Sequence, residues 1–206
     1  MRIDQLVPAF HRGDAIGDTA LHMKQFFQTQ GIQSQVYCLT RDSDLEDESQ
    51  LFTAFPRPNP EDITILHFAL PSPLTQGLIN LPSRKVMIYH NITPHTCFEG
   101  FNPEMVRISR LGREEIKSLS PYIELSLADS EYNRLELVQY GFKKTGVLPI
   151  LLDFSKYATP TDQKILEQYN DGKVNILFVG RVTPNKKHED VIKAFYIYKR
   201  FVNSHA

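Results

Sequence analysis

The sequence predicts an α/β protein built on a doubly wound, parallel, Rossmann-like sheet, and three observations predict it. Short apolar runs alternate with amphipathic helical stretches along the chain. Each run is apolar almost throughout, as a strand covered on both faces must be. Polar turns marked by glycine or proline separate the runs, so successive strands connect through helices.

Each element follows from its residues. RIDQLVP (2–8) reads as a first strand, and the polar HRGDAIGD opens a helix with Ile16, Ala20, Met23 and Phe27 on one face, closed by Gly31. QVYCLT (35–40) is the second strand. From Arg41 to Asp62 the chain turns acidic and proline-rich, the composition of a long surface excursion that gives little core. TILHFAL (64–70) and KVMIYHN (85–91) are strands flanking a brief helix from Pro73 to Ile79. Asn102 and Pro103 suit the cap and first turn of a longer helix with Met105, Ile108, Leu111 and Leu119 along one side, ending before Pro121. ELSLA (124–128) is a strand; Asp129 or Ser130 caps the helix that runs to about Gln139, and GVLPILLDF (146–154) is a strand leaving the sheet. Residues 155–172 read as a linker or as a surface helix with a turn behind it, and a new strand-turn-helix unit begins at Lys173.

Composition narrows the function classes. At 206 residues, 41% hydrophobic and 23% charged, the chain is an ordinary globular one, long enough for one good-sized domain and part of another. A net charge of -1 argues against a dedicated nucleic-acid binder, so no nucleic-acid partner is expected. Cys38 and Cys97 are too few for a zinc cluster or a disulfide framework and fit a reduced, cytoplasmic setting. Neither a signal peptide nor a membrane span is expected from the apolar runs.

The stretch ILFVGRVTPNKKHEDVIKAF (176–195) carries the clearest chemistry. Gly180 lets the backbone turn at the carboxyl end of an apolar run, where open α/β sheets bind ligands. Arg181 offers a bidentate fork to phosphate oxygens, and Lys186 and Lys187 add point charges. Read on composition alone, the same three cations are a solvated turn.

This stretch resembles the G-R-x-x-x-x-K element of the retaining glycosyltransferases of family 4, whose GT-B fold has two facing Rossmann-like domains. The resemblance implies that Arg181 and Lys186 hold the diphosphate of a nucleotide-sugar donor; Lys187 stands where many relatives have glycine, so either lysine is a candidate. GDAIGD (13–18) is similar to the family's glycine-containing loop facing donor or acceptor, which points to Gly13, Gly17 and Asp18, and HNITP (90–94) to the loop whose histidine, here His90, reaches toward the donor sugar. LADSEYNRLELVQYGFKKTGVLPILLDFSKY resembles the passage from the first domain into the second.

On this resemblance, residues 1–170 form the acceptor-side domain and residues 171–206 the first strand-turn-helix of the nucleotide-sugar domain, whose paired-glutamate motif does not occur in the chain. The chain is then the N-terminal portion of a retaining, metal-independent glycosyltransferase and is expected to be inactive alone. No cofactor is implied; the donor is a nucleoside-diphosphate sugar and the acceptor a saccharide or lipid-linked saccharide, in bacterial polysaccharide or lipopolysaccharide synthesis. The expected setting is cytoplasmic, with room for peripheral contact at the inner face of the membrane. Two other readings share the features: a non-enzymatic Rossmann-like module for a polyanion, saccharide or partner protein, and a sugar-nucleotide epimerase of GT-B shape.

Competing motifs carry less. Asp42-Ser43-Asp44 spells D-x-D, a metal-diphosphate signature, but lies in RDSDLEDES, where carboxylates are common and a solvated loop is expected. His90 and His95 have no third ligand at metal spacing, so no metal site is expected. His67 is either a hydrogen-bonded histidine at a strand end or a ligand contact.

Overall fold

A computed structural model describes residues 1–204, without the side chains of Lys156 and Tyr157; His205 and Ala206, the end of the expected second unit, lie outside it. Its centre is a seven-stranded sheet of order β3-β2-β1-β4-β5-β6-β7 in which every pair is parallel. The strands are β1 (Arg2–Phe10), β2 (Gln33–Arg41), β3 (Gln50–Leu51), β4 (Ile63–Phe68), β5 (Arg84–Tyr89), β6 (Leu125–Ala128) and β7 (Thr145–Val147). The helices are α1 (Ala15–Thr29), α2 (Pro73–Ile79), α3 (Pro103–Leu119), α4 (Glu131–Gln139), α5 (Gln163–Tyr169) and α6 (His188–Phe201). The α/β, doubly wound class is as the sequence predicts.

The core lies on both faces of the sheet. Leu6, Leu66, Phe68, Met87, Tyr89, Ile116 and Leu137 form one buried cluster, while Val7, Phe10, Ala20, Val36 and Cys38 form another. Strands apolar throughout are thus explained by cover on two sides. Because the chain winds from β1 to β2 and β3 and then crosses back to β4, the order reverses between β1 and β4, and the carboxyl ends there are where an open sheet leaves a crevice.

Caps settle where helices start. Asp14 accepts from the Gly17 N–H at 3.2 Å, and Asn102 from the Met105 N–H at 3.0 Å. Ser130, not Asp129, caps α4, accepting from the Asn133 N–H at 3.2 Å. Asp129 is left for another partner.

Four expectations need correction. Residues 41–62 do contribute core: Leu45 is buried, Phe52 and Phe55 pack on the main cluster, and β3 pairs with β2. The buried side of α3 is Ser109, Gly112, Ile116 and Leu119, with Leu111 exposed, because the small residues admit close approach of Ile92 and Pro71. The run 146–154 pairs with β6 at Gly146 and Val147, adds one bond from the Leu148 N–H to the Ala128 carbonyl at 2.9 Å, and then leaves the ladder at Pro149, which brings no N–H. The run 174–180 forms no strand: parallel pairing needs a neighbour, and among the described residues none lies beside it. Its side chains are exposed, Val174, Ile176 and Phe178 sharing a shallow pocket with Val191, Ile192 and Phe195 of α6 and Leu177 86% exposed.

Candidate functional site

A cleft of about 780 Å³ opens at the carboxyl ends of β1, β4 and β5. Ile16 lines it from the first turn of α1, Ala69 and Leu70 from the loop after β4, and His90, Asn91 and Thr93 from the loop after β5. Phe98, Phe101, Asn102, Met105 and Ser109 add a wall leading into α3, and Arg181 with Thr183, Pro184 and Asn185 closes the far side. Among the described residues no carboxylate lines it, so Arg181 is an uncompensated permanent charge there. Such a cleft favours an anion held beside apolar and hydroxyl-binding surface.

The loop after β5 is fixed from below. Tyr89 Oη accepts from the Ile92 N–H at 3.0 Å, and Arg113 Nη2 donates to the Ile92 carbonyl at 2.6 Å. Glu136 takes the Tyr89 hydroxyl and Arg113 Nη1, which also donates to Tyr140 Oη at 2.7 Å. Burial and the Glu136 carboxylate raise the Tyr89 phenol well above its usual range, so it stays a neutral donor. With both backbone groups of Ile92 pinned, Asn91 is held in a left-handed conformation (φ 68°) on the cleft wall.

His90 lines the cleft, but its side chain is 2% exposed and both ring nitrogens are engaged. Nε2 lies 2.9 Å from His67 Nδ1, and Nδ1 lies 3.1 and 3.2 Å from the two Asp129 oxygens. His67, fully buried, continues the line to Gln5 Oε1 at 2.9 Å, and Gln5 Nε2 donates to the Ala20 carbonyl at 2.9 Å. His67 is therefore a hydrogen-bonded internal residue. Burial, and then the neighbouring His90, push it well below the ordinary histidine value.

The other expected residues are placed as follows. Gly13 has a left-handed backbone (φ 72°) and open space at its α-carbon; Gly17 is buried against Phe10; Asp18 sits in the first turn of α1. None of the three lines the cleft, where Ile16 represents their loop. Lys186 and Lys187 are exposed beside the cleft rather than in its wall. Among the described residues Arg181, Lys186 and Lys187 have no ion-pair partner. Lys187 adopts φ 54°, the left-handed backbone that glycine takes without strain.

The D-x-D carboxylates are taken. Asp42 accepts from His11 Nδ1 at 2.7 Å and the Arg12 N–H at 2.8 Å, and Asp44 pairs with Arg12 Nε at 2.7 Å. The Arg12 N–H and the His11 ring hold the Asp42 carboxyl below its usual range. These contacts fasten the loop after β1 to the end of β2. Among the described residues no group of three His, Cys, Asp or Glu side chains is arranged to hold a metal, and no helix is long and apolar enough to cross a membrane.

Gln5, His67, Asp129, Arg113 and Glu136 were not singled out as a unit from sequence. Polar residues inside apolar strand runs, Gln5 in RIDQLVP and His67 in TILHFAL, are the signal that could have found two of them.

No family model matches the chain, and no curated protein matches it. Among solved structures, HepE of Anabaena in complex with UDP-glucose is similar at TM-score 0.60 and 15% identity, over 95% of this chain and 57% of that one. HepE with UDP and glucose gives TM-score 0.57 at 15% identity over the same shares. An alpha-glucosyltransferase in complex with UDP and a mismatched DNA is similar at TM-score 0.53 and 13% identity, over 98% of this chain and 53% of that one. At such identities the likeness is one of fold, and the fold is the Rossmann-like α/β type of GT-B glycosyltransferases. The chain spans little more than half the length of these structures.

Proposed function

We propose that this chain carries the acceptor-side domain, and the start of the donor-side domain, of a glycosyltransferase that uses a nucleoside-diphosphate sugar. The observation that carries this reading is the cleft at the strand-order reversal, where Arg181 faces the pinned loop 90–93 and no carboxylate intervenes. The fold likeness to structures holding UDP and UDP-glucose supports the same donor class.

In this reading Arg181 grips the diphosphate, and Lys186 or Lys187 adds charge from the rim. Negative charge grows on the departing diphosphate as the bond to the sugar breaks, so a cation already in place lowers the barrier where charge develops. Asn91, Thr93 and Ser109 offer amide and hydroxyl groups to the sugar, and the Gly13–Asp18 loop borders the acceptor side through Ile16. His90 orients the sugar by the position of its loop, since both ring nitrogens are engaged inside the protein. The finer reading is transfer with retention at the anomeric carbon and without a metal, to a saccharide or lipid-linked saccharide in bacterial polysaccharide or lipopolysaccharide synthesis. His11 and Arg12, which hold the D-x-D carboxylates, support metal independence.

The test is a titration of the 15N-labelled chain with UDP. Amide shifts at Asn91–Thr93 and Arg181–Asn185 are expected, unchanged by EDTA. Arg181→Ala is expected to weaken binding by roughly 10- to 100-fold, the loss of a charge-assisted contact. Shifts confined to surfaces away from the cleft would overturn the reading. The 206 residues alone are expected to transfer sugar poorly, because nothing among the described residues covers the apolar side of the 174–202 segment.

A further inference from the structure

We propose that Asp129 and His67 are positioning residues for the loop at 90–93, and that they act by keeping one proton between His90 and Asp129. The inference rests on the proposed function only for its consequence, the shape of the cleft; the placement of the proton stands on hydrogen-bond geometry.

The direction of every bond in the line follows from its far end. The Ala20 carbonyl can only accept, so the Gln5 amide must turn its NH₂ toward it and its oxygen toward His67. His67 Nε2 is then the protonated nitrogen. A fully buried imidazole with no carboxylate partner is neutral, so its Nδ1 is bare and accepts from the Nε2–H of His90. That leaves His90 Nδ1 facing two carboxylate oxygens at 3.1 and 3.2 Å, and among the described residues Asp129 Oδ1 meets no other donor. With no proton there, a lone pair would oppose a half-buried carboxylate. One proton therefore resides in the pair, on the ring or on the acid.

The line crosses four adjacent strands, from β1 through β4 and the ends of β5 and β6. The register that sets Tyr89 beside Ala128 sets His90 beside Asp129. The facing groups are His67 from β4, Asp129 from the segment before α4, and Arg181 across the cleft; β1 and α1 present only the uncharged Gln5 and the Ala20 carbonyl. The Arg113–Glu136 pair of α3 and α4 acts separately, at Ile92. The loop thus has two anchors, one of which depends on a proton. Without that proton, His90 Nδ1 and Asp129 would repel, and Asn91 and Thr93 would lose their anchor on this side while Ile92 keeps its own.

Long-range 1H–15N spectra of the intact labelled chain read the line directly. The expected pattern is His67 protonated at Nε2 and bare at Nδ1, with His90 protonated at Nε2. In Asp129→Asn the His90 ring should be bare at Nδ1 and still protonated at Nε2, with the Asn91, Ile92 and Thr93 amides unmoved, because an amide donates to a bare Nδ1 without a shared proton. A His90 ring bare at Nε2 in the unmodified protein, or displaced Asn91–Thr93 amides in a folded Asp129→Asn, overturns the proposal. The ring pattern is read on the unmodified protein, so it decides the proton placement even if the variant fails to fold. If UDP binds at no pH while the ring pattern is as described, the proposed function falls and the proton placement stands.

Discussion

Two parts of this molecule share one local pattern and meet different fates. Residues 2–29 and 174–201 each run from an apolar stretch through a polar, glycine-containing turn into an amphipathic helix. In the first, the run is β1, paired on both sides by β2 and β4, with Leu6 and Val7 fully buried. In the second, the helix and the turn form but the run stays irregular, with Leu177 and Val179 86% and 81% exposed. Turn and helix hydrogen bonds close within a few residues, whereas a parallel strand takes its bonds from other strands. A local pattern therefore specifies a helix by itself and a strand only in company.

A large expected effect sharpens the contrast between anchored and free charge. Arg113 and Glu136 form a pair largely withdrawn from water, and removing Arg113 leaves an uncompensated carboxylate beside Tyr89. Arg113→Ala is expected to cost about 3 kcal/mol in urea unfolding, the scale of breaking a buried pair on one side. The Lys173–Asp171 pair, 2.8 Å apart but well exposed, is its counterpart in the second segment, and Lys173→Ala should leave the unfolding midpoint where it was. Equal losses from the two would sink the distinction.

Apolar truncation breaks the comparison on its other side. Leu66 is 1% exposed within the main core, so Leu66→Ala is expected to cost about 2–5 kcal/mol by creating a cavity. Leu177→Ala is expected to change stability by less than about 0.5 kcal/mol in the same denaturation experiment.

The buried line that runs from Gln5 of the first region to His67 also predicts a pH dependence. His67 titrates below the ordinary histidine value of 6.5 in the folded state. Below that value the unfolded chain binds a proton that the folded one refuses, so stability falls as pH falls, by up to about 1.4 kcal/mol per pH unit, and is retained above it. His67→Gln should flatten that slope, whatever it does to absolute stability. An unaltered slope would assign the acid sensitivity elsewhere.

What could be read from the chain followed the same division. Helix starts were legible because caps are local: Asn102-Pro103 marked α3, and Asp129-Ser130 marked α4 to within one residue. Strand runs were legible in the first region, where period and apolarity coincide with neighbours, and the same signal at 174–180 failed for want of one. The cleft was half legible. Arg181 and His90 were found from their motifs, but the supporting line of Gln5, His67, His90 and Asp129 joins positions 62, 23 and 39 residues apart, a juxtaposition that only sheet order creates. Single positions advertised chemistry; partnerships did not.

The smallest expected effect tests whether the second segment's turn has a specified shape of its own. Lys187 holds φ 54° between the 3₁₀ turn at Pro184–Lys186 and α6, a conformation that costs a residue with a side chain about 1 kcal/mol. Lys187→Gly removes the strain and one rim cation together. Amide exchange in the first turn of α6 is expected to slow by about fivefold, and UDP affinity to fall less than in Arg181→Ala, because Arg181 lines the cleft and Lys187 does not. Faster exchange in the variant would mean that the lysine side chain, rather than the backbone it strains, organises the turn. An affinity loss matching that of Arg181→Ala would move the principal phosphate contact from the cleft wall to its rim.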